Sequence, residues 1–255
     1  IYVSLEPCAH YGRTPPCARL IAETGIPRVV VGCIDPFARV QGRGIAILRE
    51  AGAEVVTGVL EADCRALNRR FFTVQERHRP FVTLKWARSA DGFLDRHRMP
   101  DEKAAQLSTP MSRLHTHRLR SLHEAIAVGH TTLVTDRPRL DVRHWDGPSP
   151  RRFVVGRPAP GELPAGFRAA ETPEALLRLL QAEGVQTLLV EGGRRTLQSF
   201  LDAGLWDEAW EETAGILLGD GVAAPTIPPG AVRTGLPRLG ADFTHYRNPR
   251  PAGLA

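Results

Sequence analysis

Hydrophobic and polar positions along this chain switch repeatedly between a strand-like and a helix-like period. "IYVSLEP" is a β-rich run ended by Pro7, "PPCARLIAETG" starts a short helix after prolines and closes it on Gly25, and "RVVVGCIDP" is a buried strand. The alternation continues: "GRGIAILREAG" predicts a helix closed by Gly52, "AEVVTGVL" a strand, and "EADCRALNRRFFTVQ" a helix with apolar residues at helical spacing. Parallel strands joined by helices bury a sheet on both faces, and such domains usually have more strands than the three read here. The pattern therefore predicts an α/β domain incomplete at its N-terminus.

"ERHRPF" is a charged, proline-containing joint, after which a new pattern begins, and the boundary is placed so that one domain spans 1–78 and the next 79–255. "FVTLKWA" is a strand, "SADGFLD" a loop, "STPMSRLHTHRLRSLH" a helix entered through Ser108, Thr109 and Pro110, and "EAIAVGHTTL" a strand running into a turn. Further on, "RRFVVG" is a strand, "TPEALLRLLQAEG" a helix, and "QTLLVEGGRRTLQSFLDAG" a strand, a glycine turn and a helix. "DEAWEETAGILLG" begins another strand, and the Pro- and Gly-rich tail from Val222 carries little pattern.

The 255 residues are enough for two domains with real cores. No apolar run is long enough to cross a bilayer as a helix and the start lacks a secretory pattern, so the expected location is cytoplasmic. The four cysteines, Cys8, Cys17, Cys33 and Cys64, are too dispersed for a disulfide scaffold and read as reduced thiols or ligands. The net charge of +5 comes mainly from scattered arginines; with few aromatics and no Lys-rich tail, it points to a small anionic ligand rather than to nucleic acid.

Three features carry candidate chemistry. Cys8 and Cys17, bounded by prolines, offer two thiolates where a structural zinc needs four ligands and a catalytic one three plus water; the alternative reading is a pair of free thiols. Lys85 lies inside an apolar strand, where an unpaired ammonium is costly, so it must reach a ligand or a carboxylate. Gly192 and Gly193, between a strand and a helix, let backbone approach a ligand at a helix N-terminus, although a glycine pair there can also serve the turn alone. His115 and His117 point to different helix faces and read as packing or surface residues, and Glu6, before Pro7, as structural.

In order, "EPCAHYGRTPPC", "GCIDPFARVQGRGIAILREAG", "RPFVTLKWARSADG", "TTLVTDRPRLDVR" and "LLVEGG" resemble the motifs of the bifunctional riboflavin biosynthesis deaminase/reductase family. The resemblance implies the C-terminal half of a cytidine-deaminase-like α/β/α domain followed by a dihydrofolate-reductase-like α/β domain. It implies Cys8 and Cys17 as zinc ligands of a deaminase whose His-x-Glu half is not in this chain. For the second domain it implies NADPH-dependent reduction of the ribosyl group of 5-amino-6-(5-phosphoribosylamino)uracil, and a homodimer. Glu191, Arg120, Leu140 and Arg143 are then expected at the substrate, and Ala87, Thr132, Asp136 and the run Gly193, Arg194, Arg195, Thr196, Leu197, Gln198 and Ser199 at NADPH. Lys85 and Asp136 are the candidate proton donors, with Glu191 orienting substrate. Around "DEKAAQLSTP" the chain departs from the family's pattern, with Ala104 and Gln106 where a Ser and a Trp often stand. Two rivals are a reductase acting on another pterin or pyrimidine, and a non-catalytic remnant.

Overall fold

Three short strands, β1 (Tyr2–Leu5), β2 (Arg28–Cys33) and β3 (Glu54–Thr57), pair in parallel in the order β1-β2-β3. Helices α1 (Cys17–Glu23) and α2 (Arg43–Glu50) cover one face, where Ala18, Ile21 and Leu48 pack on Val29 and Val31. On the other face Gly32 makes room for Cys64 of α3 (Glu61–Leu67), since a Cβ at Gly32 would stand 2.2 Å from the Cys64 Sγ. The helix read over "EADCRALNRRFFTVQ" is in fact two, α3 and α4 (Arg69–Arg77). Asn68 separates them, its side-chain amide donating to the Cys64 carbonyl at 2.8 Å and so satisfying a helix-end acceptor.

Glu6 is structural, for a specific reason. Helix α2 starts at Gly42 with no side-chain cap of its own, and the buried Glu6 carboxylate supplies one by accepting from the amides of Gly42 (3.0 Å), Gly44 (3.0 Å) and Ile45 (3.3 Å). The positive end of the helix balances a charge that burial would otherwise penalise.

This computed structural model describes residues 1–12, 14–37, 40–99, 102–234 and 243–254, which divide into two units, Ile1–His78 and Arg79–Ala255. Among the described residues no helix is long and apolar enough to cross a membrane.

The second unit holds β4 (Phe81–Arg88), β5 (Phe93–Asp95), β6 (Ala125–Gly129), β7 (Arg151–Val155), β8 (Phe167–Ala170), β9 (Thr187–Val190), β10 (Glu208–Thr213), β11 (Val222–Ala223), β12 (Val232–Thr234) and β13 (Phe243–Arg247). Eight of them form one sheet in the order β12-β13-β10-β4-β9-β6-β7-β8, parallel except for β13. The short pair β5 and β11 stands apart as an antiparallel ribbon. Residues alternate between faces, as strands require. Val82, Leu84, Ala127, Phe153, Leu188 and Val190 pack against α7 (Pro173–Ala182) and α8 (Arg194–Asp202). Ile126, Val128, Val154 and Leu189 face Leu119 of α5 (Pro110–Ser121) and Leu133 of α6 (His130–Asp136).

Local signals explain several helix starts. Thr109 and Thr172 cap α5 and α7 through their hydroxyls, each followed by proline in the first turn, where its missing N–H costs nothing. Two expectations are corrected. "SADGFLD" is not wholly loop, because Phe93–Asp95 pairs with Val222–Ala223, a partner distant in sequence. "EAIAVGHTTL" is a strand only to Gly129, after which His130–Asp136 is helical, held by Leu133 docking in the core despite its β-branched threonines. The weakly patterned tail also contributes β11, β12 and β13.

Candidate active site

The parallel strands of the second unit end at a cleft of about 860 Å³. Crevices at the carboxyl ends of such strands are the usual ligand sites of open α/β sheets. Lys85, Trp86 and Ala87 come from β4, Gly129 from the end of β6, Val155 and Gly156 from the end of β7, and Glu191, Gly192 and Gly193 from the turn after β9. The start of α8 adds Arg194, Arg195, Thr196 and Leu197, α6 adds Thr132 and Asp136, and the segment before α5 adds Ala104, Gln106 and Ser108.

The glycines are needed for space. A Cβ on Gly129 would lie 2.3 Å from the Thr196 Oγ1, and one on Gly193 would lie 2.9 Å from the Thr132 Oγ1. Gly192 has a φ of 111°, a region that disfavours other residues, and the Gly192–Gly193 peptide is cis. Together these glycines bring the turn after β9, the start of α6 and the start of α8 into close approach, and the free amides of α8 open on the cleft.

Three charged pairs stand in or beside the cleft. Lys85, 7 % exposed, places its ammonium 3.3 Å from the Glu212 Oε2, which also accepts from the Ser108 Oγ at 2.8 Å. Arg120 grips Glu191 with two guanidinium bonds, 2.8 and 2.6 Å, and donates a third to the Asp141 carbonyl at 2.9 Å. Burial alone would raise the Glu191 carboxyl, but the Arg120 guanidinium, helped by Lys85, outweighs it and holds the carboxyl below its ordinary value. Asp136 at the mouth is ion-paired to Arg98 at 2.6 Å, and Arg98 also binds Asp95.

Several expected site residues are therefore placed differently. The Leu140 side chain is 2 % exposed, in one cluster with Ile126, Val128 and Phe167, and is not among the residues lining this cleft. Arg143 is ion-paired to Asp141 and does not line the cleft, and Arg120 stands behind Glu191, so the two arginines do not form an open phosphate clamp. Gln198 bonds to Asp202 and Thr226, and Ser199 to the Thr196 carbonyl, both outside the lining. Glu212, Ser108 and Arg98 escaped sequence reasoning. A signal for Glu212 was present: a lysine in an apolar strand demands an anion, and "EAWEET" carries carboxylates in a strand of the same kind.

His115 and His117 are packing residues. His115 is wedged beside Trp210 and Phe243, and burial, followed by Lys85, lowers it to about 4. His117 accepts the Arg143 amide at 3.1 Å through Nδ1 and lies against His144.

In the first unit, the Cys17 amide donates to the Cys8 Sγ at 3.2 Å, and a side-chain hydrogen bond with the free Cys8 thiol, followed by burial, raises the Cys17 thiol above its ordinary value. Among the described residues no group of three or more His, Cys, Asp or Glu could hold a metal ion. Two thiols alone are fewer donors than a zinc centre of either kind needs.

A mainly parallel sheet with a glycine-lined cleft at its carboxyl edge places the second unit in the dihydrofolate-reductase-like α/β class. Dihydrofolate reductase from Schistosoma mansoni shares the fold alone, with a TM-score of 0.51 and 13% identity over 67% of this chain and 100% of that one. A family model described as the RibD C-terminal domain matches residues 80–245, and the chain belongs to the RibD family. The riboflavin biosynthesis protein RibD of Aquifex aeolicus is 34% identical over 88% of this chain and 71% of its own length. The diaminohydroxyphosphoribosylaminopyrimidine deaminase/5-amino-6-(5-phosphoribosylamino)uracil reductase of Thermotoga maritima superposes with a TM-score of 0.83 at 30% identity, over 96% of this chain and 78% of that one.

Proposed function

We propose that the chain acts in riboflavin biosynthesis, its second unit reducing the ribosyl group of 5-amino-6-(5-phosphoribosylamino)uracil to ribityl with NADPH. The observation that carries this reading is the glycine-lined cleft with a buried lysine on its floor and the start of α8 on its wall. The fold class and family membership support the same reaction.

The cofactor fits residues of this chain. Gly193 lies close against Thr132 and Gly129 against Thr196, all four lining the cleft, and Arg194 and Arg195 open α8 with donors suited to phosphate. NADPH, when bound, supplies the hydride that reduces the sugar's C1′ after its ring has opened to an imine. Both candidate proton donors line the cleft, Lys85 paired with Glu212 and Asp136 with Arg98, and Lys85 Nζ is assigned the accompanying proton because an ammonium carries N–H donors where a carboxylate has none. Arg120 works through Glu191, fixing the carboxylate that orients the substrate. The first unit is of the deaminase type, with Cys8 and Cys17 as the residues it contributes toward zinc.

The purified chain is expected to consume NADPH, followed by absorbance, only when the phosphoribosylaminouracil is present, with the ribitylamino product identified by mass. Turnover with dihydrofolate and none with the pyrimidine would overturn the substrate. Gly193→Ala is expected to weaken NADPH binding by roughly tenfold, about 1.4 kcal/mol, with the fold intact; unchanged affinity in a fluorescence titration would remove the turn after β9 from the cofactor site.

A further inference from the structure

We infer that Glu212 is a positioning residue that directs the Lys85 ammonium into the cleft, with Ser108 fixing the carboxylate. This role deepens the reductase reading above and rests on it for its meaning in catalysis.

The register of the sheet sets the contact. Lys85 of β4 stands opposite Trp210 of β10, and Glu212 opposite Ala87, two residues further along. Side chains two apart share a face, so Glu212 reaches diagonally across to the ammonium at 3.3 Å. Glu212 is 1 % exposed, so its charge has no solvent to balance it, and its described partners are Lys85 and Ser108.

The other charged and titratable groups around Lys85 leave this pairing to Glu212. Glu191, at the end of β9, is already matched by the two-bond grip of Arg120 from α5. His115, the group of α5 that senses both Lys85 and Glu212, has neither ring nitrogen hydrogen-bonded among the described residues. Two buried carboxylates thus face two cations, Glu191 with Arg120 and Glu212 with Lys85. Removing one member of such a pair leaves the other charge uncompensated. Without Glu212 the ammonium loses the partner that fixes its direction.

The chain has only two lysines, Lys85 and Lys103, so acylation of each amine can be read by peptide mass spectrometry without any turnover. In Glu212→Gln, the acylation rate of Lys85 at one fixed pH is expected to rise roughly tenfold as the amine is released from its partner, while Lys103 stays unchanged as the internal reference. The kcat for NADPH consumption should fall roughly tenfold with KM for NADPH little changed. Ser108→Ala should shift Lys85 labelling in the same direction by less, and it carries the test if Glu212→Gln does not fold. Identical Lys85 labelling in native and variant chains overturns the proposal. A native chain that turns nothing over, with labelling still shifted by the variants, would defeat the reductase reading and leave the positioning of Lys85 standing.

Discussion

Glu191→Gln is expected to lower kcat/KM for NADPH-dependent reduction by about a hundredfold, the size of effect that follows when a positioning group near the reacting centre is displaced. The pair it breaks is buried: the side chains of Arg120 and Glu191 are each 11% exposed, and the guanidinium makes two bonds to the carboxylate. Glutamine keeps the shape and one acceptor but leaves the Arg120 charge uncompensated, which costs about 3 kcal/mol. For a unit of this size that is a drop in Tm of roughly 6–12 °C.

The same pair sets a pH dependence with a definite sign. Burial works against the Glu191 carboxylate, yet Arg120 holds its folded pKa below the ordinary value. A depressed carboxyl pKa contributes stability that is present above the unfolded value of about 4.3 and is lost as pH falls through the folded one. The gap in unfolding free energy between the native chain and Glu191→Gln should therefore be full at neutral pH and shrink in acid. A gap that stays constant from neutral to strongly acid conditions would show that the pair does not carry the difference.

Asp207→Ala should be the most destabilising single change in the second unit. The Asp207 carboxylate binds the fully buried Arg79 guanidinium at 2.6 and 3.1 Å and also accepts the Val82 amide at 2.7 Å. Arg79 in turn donates to the carbonyls of Pro80 (2.8 Å) and Ala252 (2.7 Å), tying the start of β4 to β10 and the chain end. Alanine leaves both a buried guanidinium and a buried amide without this acceptor, at a cost of about 4–5 kcal/mol, the upper part of the range for a broken buried pair. Thermal unfolding is expected to begin at least roughly 10 °C lower. Disruption of an exposed pair such as Arg28–Glu54, with both side chains more than 60% exposed, should change little by comparison. Equal effects at the two places would mean that burial does not govern these ion pairs.

Much of the fold was legible wherever a signal is local. The caps at Thr109–Pro110 and Thr172–Pro173, the glycine pair before α8 and the alternating strands are short-range patterns, and the structure has them where the patterns put them. Family membership was likewise readable from motifs in register, and the match to residues 80–245 shows it. Misreadings arose where distant residues decide. Phe93–Asp95 becomes a strand because Val222–Ala223 lies beside it, and His130–Asp136 becomes a helix because Leu133 has a core to dock in. Neither partner is visible in the local pattern.

The candidate site divides along the same line. From the sequence alone, Lys85 had to find an anion, because no apolar strand can bury an unmatched ammonium. Which anion was a matter of register: Glu212, 127 residues away, meets Lys85 only because β10 pairs with β4 in one particular alignment. Arg120 was expected at the substrate, and it is the fold that places Glu191, 71 residues away, against its guanidinium. Residue type determined which charges had to be neutralised, and the motifs determined the family. The tertiary structure alone decided how those charges are partnered, since strand register and helix docking bring together groups whose separation along the chain carries no distance information.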